Sequence, residues 1–585
     1  MKFFLHSYKI ISALLLIWFF VISVPLFAQH PNQMLRTADA LERNHQYREA
    51  LDLYQKLYKK NNHDMSSVAG IKKCFIGLQQ YTELIQFLEQ ITHTAPPVSS
   101  LYIDLGEAYF LNNQRDRALG TWRTYLDNNR QDPTSFRLVA MAMIRVRLFD
   151  EAIQVYREAI KTLKNQENLY VDIANLYLAQ LNYEKATENF LAYYEVQPKQ
   201  IAFIKRQLLF ISDKSKDIIP VTNEINRFLQ GHPDDIQIRE ILGGLYLKNK
   251  DYDLAFTVYQ FLDQKQKSGL FIQRFSLEAY QNKAYVHAIK GYEYFLTHYP
   301  EPPASLQIRY ELARSYAALA NTDSASSAAI MEKATALYKE LIALNERSDL
   351  AGRCMINQGD IYFRYYYDLD EALLYYNRYL KVQTKGKQKD EVHLRVGDTY
   401  LTKNQTEDAL QAYREATLGI MQNAAWLKVA ETYFYTARFS EAETIYSRLL
   451  SQITSNDPMV NDILSRQILL KQAEKDSLSL SQFAHAELLR FQKKLSLAAE
   501  EFSELSRKEN NLRFMAGVTA GQLYLTLGKI EMAKTVLSDL HEAVPENTAS
   551  DHILMLLANC EEKLGNPDAA LSLYNEIMIK YPTSF

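Results

Sequence analysis

The chain has 585 residues, 66 Lys and Arg against 69 Asp and Glu, a formal charge of −3 and 47% hydrophobic residues. Its length exceeds what one hydrophobic core supports, and the mild charge argues against nucleic acid as a partner. Cys74, Cys354 and Cys560 are odd in number and far apart, which excludes a disulfide framework and makes each a core candidate.

Residues 1–28 have the architecture of a secretory signal peptide. Lys2 and Lys9 are positive, Ile10 to Val24 is almost wholly apolar, Pro25 breaks the run and Ala28 is a small cleavage-site residue. Cleavage there starts the chain at Gln29 and, with Lys2 and Lys9 gone, takes the charge to −5. The alternative is an inner-membrane anchor through residues 10–26, whose apolar length comes close to spanning a bilayer. No Cys follows the apolar stretch until Cys74, so a lipoprotein anchor is not expected. No later run is apolar enough to span, so no membrane span is expected after cleavage.

From residue 29 a period takes over. Ala50, Leu84, Ala118, Ala152 and Ala186 fall at intervals of 34 residues. Gly106, Tyr109, Ala118 and Trp122 are separated by 3, 9 and 4. The same steps recur in Ala174, Tyr177, Ala186 and Phe190, in Gly243, Tyr246, Ala255 and Tyr259, and in Gly397, Tyr400, Ala409 and Tyr413. They return in Ala430, Tyr433, Ala442 and Tyr446, and in Gly521, Tyr524, Ala533 and Leu537. Steps of 3 and 4 put residues on one helical face. The step of 9 crosses a turn into a second helix, through polar breakers such as Asn112-Asn113-Gln114. Small residues let two backbones approach while aromatics fill the space beside them. One such hairpin cannot bury its apolar face alone, so neighbours must stack.

This pattern resembles the tetratricopeptide repeat, in about 14 copies at the 34-residue period. Prolines at 133, 198, 300, 458, 545 and 582 sit where a second helix should stop. The resemblance implies an all-α fold: an α-solenoid of stacked helix-turn-helix units in a right-handed superhelix. The expected organisation is five repeats over 29–198, a degenerate helical unit over 199–233, and an array over 234–458 with an insertion near 321–330. An extra helical segment or hinge follows over 459–481, then C-terminal repeats over 482–585. The insertion reads either as a lengthened helix pair or as a polar loop. No capping helix is legible after Leu571, Tyr574 and Ile577, which predicts a truncated or atypical end.

No catalytic motif is present: no phosphate-binding glycine loop, nucleophile elbow, Cys-x-x-Cys or metal-binding His pair. The expectation is a protein that is not an enzyme and needs no cofactor or metal. One series carries a binding signal. In this family the residue after the small residue of the first helix tends to face the concave surface. Here those positions include Asp39, Glu107, Asp360, Asp398, Glu431 and Glu487. With Phe363, Leu401 and Phe434 nearby, Asp360, Asp398, Glu431 and Glu487 form the candidate partner-binding surface, suited to a basic or amphipathic peptide. The resemblance to exported repeat proteins of Gram-negative bacteria implies a periplasmic interaction scaffold that binds protein or peptide partners in a cell-envelope complex. The alternative is a periplasmic component of exopolysaccharide export that binds glycan.

Overall fold

The computed structural model describes residues 31–94, 99–214, 218–322, 327–382, 387–543 and 550–582. The signal-peptide expectation for residues 1–28, and the anchor alternative for residues 10–26, lie outside them. Among the described residues there are 31 α-helices and no strand. No helix among them is long and apolar enough to cross a membrane. The expected all-α solenoid of paired helices is what the chain forms.

Most helices run 13 or 14 residues and pair as antiparallel hairpins, as in Ser99–Leu111 with Arg115–Asn128 and Gln422–Tyr435 with Phe439–Gln452. The periodic residues explain the pairing: Ala50, Leu84, Ala118, Ala152 and Ala186, four of them small, are all wholly buried. At Gly106 the contact is so close that a Cβ would lie 2.3 Å from the Trp122 indole nitrogen. That nitrogen donates to the Ile103 carbonyl at 3.1 Å, so the ring satisfies its one polar atom inside the core.

The turn inside each hairpin repeats too. His45, Gln79, Asn113, Arg147 and Leu181 all have positive φ, again 34 residues apart. Asn113 N–H donates to the Phe110 carbonyl and Gln114 N–H to the Tyr109 carbonyl, at 2.9 and 2.8 Å. These are the paired bonds of a Schellman closure, which satisfy the last carbonyls of the first helix. Only the late copies use glycine there, at Gly528 and Gly565.

The chain divides into two compact units at Val258/Tyr259. In the first unit, helices Ile201–Lys214 and Ile219–Gly231 follow the early hairpins, and the latter packs mainly on Tyr183–Val196. In the second unit, Ala304–Ala320 and Ser327–Leu344 are the longest helices, at 17 and 18 residues. The extra residues near 321–330 therefore extend a helix pair, with 323–326 outside the described residues. Helix Asp349–Ile361 runs into a π-helical turn, Tyr362–Tyr366, before Leu369–Val382.

The succession of hairpins also breaks in the second unit. Helix Met459–Gln472 packs on Phe439–Gln452 but does not pair with Ser477–Phe491, its successor. Ser477–Phe491 pairs forward with Leu495–Ser506 and also packs on Gln422–Tyr435, two helices before Met459–Gln472. A single apolar cluster consequently runs from Leu401 to Cys560. Cys74, Cys354 and Cys560 are buried free thiols. Burial pushes Cys354 up to about 12 and Cys74 and Cys560 up to about 11.

Candidate partner-binding surface

Three of the four acids of the candidate surface, Asp360, Asp398 and Glu431, are held by one recurring arrangement. The second-helix tyrosine ring crosses the small residue of the first helix, so its hydroxyl arrives at the acid next in sequence. A Cβ at Gly359 would lie 2.4 Å from the Tyr376 ring, and one at Gly397 would lie 2.3 Å from the Tyr413 ring. Tyr376 Oη then donates to Asp360 at 2.6 Å and Tyr413 Oη to Asp398 at 2.7 Å. Tyr446 Oη donates to Glu431, and in the first unit Tyr54 Oη donates to Asp39 at 2.7 Å.

A base from the next first helix completes the three rungs of the second unit. Arg395 Nε donates to Asp360 at 3.0 Å and Lys428 Nζ to Asp398 at 2.8 Å. Arg466 donates to both Glu431 oxygens, from Nη2 at 2.7 Å and from Nε at 3.0 and 3.1 Å. In the first unit Lys72 and Arg145 both reach Glu107, at 2.7 and 3.1 Å. Burial pushes the Glu107 carboxyl up, but the two bases outweigh it and hold the group below the usual range. Burial, reinforced by the neighbouring carboxylates, pushes Tyr376, Tyr413 and Tyr446 well above the ordinary phenol.

Glu487 is 5% exposed and joins the last rung sideways. It accepts from Arg466 Nη2 at 3.3 Å and from Arg490 Nη2 at 2.8 Å. The Arg466 guanidinium also lies 4.4 Å from the centre of the Phe434 ring, which is wholly buried. All four acids thus have cationic partners within the chain, which neutralise much of the charge the sequence places on this stretch.

Leu401, Glu431 and Glu487 line one cavity of about 810 Å³, with Tyr435, Phe491 and Met515 among its other walls. Its lining mixes the charged Arg466 network, Lys428 and Asp462 with apolar side chains that include Met459 and Met515. Asp360 borders a separate hollow of about 550 Å³ with Arg314 and Asn357. Asp398 and Phe363 are half-buried. Phe363 faces the Lys493 ammonium at 6.0 Å.

The bases Arg395, Lys428, Arg466 and Arg490 are the residues of the candidate surface that sequence reasoning missed. Their signal was present: the three that complete rungs stand 30 to 35 residues after the acids they meet. Among the described residues no group of three or more His, Cys, Asp or Glu is placed to hold a metal ion.

A family profile for the tetratricopeptide repeat matches residues 553–584. No curated protein matches the sequence. Among solved structures, one of Naa15/Naa10 bound to HypK-THB is similar at 15% identity over 95% of this chain and 94% of that one, TM-score 0.28. A tetratricopeptide repeat protein from Parabacteroides merdae is similar at 14% identity over 50% of this chain and 99% of its own, TM-score 0.29. A thermophilic TPR protein from Thermus thermophilus is similar at 16% identity over 34% of this chain and 98% of its own, TM-score 0.24. Helix pairing, the buried small residues and the matched repeat agree: the chain is an all-helical array with TPR-like repeat architecture.

Proposed function

We propose that this protein is an interaction scaffold of the bacterial cell envelope, without catalytic activity of its own, and that it binds protein or peptide partners along the inner face of its repeats. The observation that carries the reading is the 810 Å³ cavity at residues 401–519, whose lining mixes apolar side chains, Met459 and Met515 among them, with the charged Arg466 network. Such a cleft suits an amphipathic segment, which buries apolar side chains and meets polar groups at fixed points. Export to the periplasm rests on the composition of residues 1–28.

The test is crosslinking in the native cell, followed by capture of the tagged chain and mass spectrometry. The reading predicts a reproducible set of envelope proteins. Capture of general chaperones alone, together with a tryptophan fluorescence change on an oligosaccharide panel, would contradict it in favour of glycan binding. Reversing Glu431 to Lys is not a clean probe of binding, because Glu431 holds Arg466 and Tyr446 in place.

A further inference from the structure

Helix Met459–Gln472 packs on Phe439–Gln452 but forms no hairpin with the helix after it. One of its faces is engaged. Ile463 and Leu470 are buried in the shared apolar cluster, and Arg466 holds Glu431 and Glu487. The opposite face carries Val460, Leu464 and Ile468, four residues apart, which places them in one stripe along the helix. Leu464 is 42% exposed and Ile468 is 56% exposed, with Val460 half-buried. Single exposed apolar residues are ordinary on a protein surface; this row also has a charge at each end. Asp457 stands three residues before Val460, and Lys471 stands three residues after Ile468. Asp457 Oδ1 accepts from the Met459 N–H at 2.9 Å, which caps the helix. Among the described residues neither Asp457 nor Lys471 has an ion-pair partner.

The stripe is symmetric about Leu464. From Asp457 through Val460, Leu464 and Ile468 to Lys471 the steps are 3, 4, 4 and 3, the same in either direction. We propose that this face docks a second copy of the chain, two Met459–Gln472 helices packing antiparallel about a two-fold axis at Leu464. In that register Leu464 meets its own copy, Val460 meets Ile468, and Asp457 meets Lys471, each contact occurring twice, as a two-fold interface requires. A parallel pairing would set Asp457 against Asp457 and Lys471 against Lys471, so the charges select the antiparallel one. One helix of four turns buries less than the ~800 Å² per partner of a standard interface, so the association is weak and depends on concentration. Val460, Leu464 and Ile468 are not among the walls of the 810 Å³ cavity, so the pairing does not rest on the functional reading above.

The test is cysteine substitution in the purified full chain, whose own three cysteines are buried. Leu464→Cys should join two copies under mild oxidation. Ile468→Cys alone should not, because its copy lies ~12 Å along the paired axis, beyond the ~7 Å between Cα atoms that a disulfide spans. An equal mixture of Val460→Cys and Ile468→Cys chains should give the mixed dimer. A second arm needs no crosslink. Sedimentation of the unaltered chain should shift towards dimer as concentration rises, and Leu464→Glu should abolish the shift with helical circular dichroism unchanged. Asp457→Lys and Lys471→Glu should each weaken association ~5-fold, and an equal mixture of the two should recover it, since the mixed pair restores both opposite-charge contacts. That recovery also separates the charge effect from loss of the Asp457 cap. A single species at every concentration with no disulfide at 464, equal crosslinking from 464 and 468, or no recovery in the mixture overturns the proposal. Crosslinking of Leu464→Cys in the native cell to a different protein and never to a second copy also overturns it, in favour of a foreign helix on the same stripe.

Discussion

Removing the Arg466 side chain is the sharpest perturbation of the candidate surface. Arg466 makes a two-pronged contact with Glu431 and a single one with Glu487. Glu487 is 6% exposed and Glu431 is 19% exposed in their side chains, and Arg466 is 17% exposed. Met at 466 keeps an apolar side chain at the position but strands Glu431, with the Tyr446 and Tyr435 hydroxyls as its donors, and leaves Glu487 to the exposed Arg490. Breaking a buried pair by removing one partner costs about 3–5 kcal/mol; because Glu487 retains Arg490, the lower end, ~3 kcal/mol, applies here. Adding Glu431→Gln removes the stranded charge and should recover ~1–2 kcal/mol, since the remaining loss is that of charge-assisted hydrogen bonds. The assay is native-state hydrogen exchange read over residues 422–435, 459–472 and 477–491, because a repeat array does not unfold as one two-state unit. Arg466→Met within ~0.5 kcal/mol of the unaltered chain, or a double variant worse than the single one, would refute the reasoning.

Two glycines at equivalent chemistry should respond oppositely. Gly397→Ala drives a Cβ to 2.3 Å from the wholly buried Tyr413 ring, which Asp398 holds in place, and should destabilise by ~1–2 kcal/mol after the helix-propensity gain of about 1 kcal/mol is credited. Gly244→Ala meets nothing within 4 Å and should stabilise by up to ~1 kcal/mol; thermal melts of the two variants check the contrast. The rung tyrosines Tyr376, Tyr413 and Tyr446 have folded values above the unfolded phenol value of about 10, so they stabilise fully below that pH and lose the contribution as pH rises through the folded values. Absorbance at the phenolate band should show these three ionising only together with loss of helical circular dichroism.

The hairpins and their period were readable because they depend on local packing. Gly106 meets Trp122 within one unit, and Asn112 to Gln114 mark the turn between its helices. The left-handed turn residues share the 34-residue spacing, but His45, Gln79, Asn113, Arg147 and Leu181 have no common chemistry, so nothing in composition flags them. The acids of the surface were readable as a series, yet their engagement was not. Whether Arg466 meets Glu431 depends on how one hairpin is rotated against the next, which spacing alone leaves open. The fold-back of Ser477–Phe491 onto Gln422–Tyr435 left no periodic mark either, since it links residues across several repeats. Tyr367 and Gln492 are far apart in sequence and individually ordinary; only three-dimensional placement joins them.

A photoreactive amino acid placed at Met515 tests the central claim most directly. Met515 is 38% exposed and lines the cavity, whereas Leu374 is 55% exposed on helix Leu369–Val382 and does not line it, which makes it the matched control. Illumination in the native cell should join the chain to a discrete envelope protein from position 515 and not from position 374. Equal labelling from both positions, or labelling from 374 alone, would contradict a scaffold that receives its partners in this cavity.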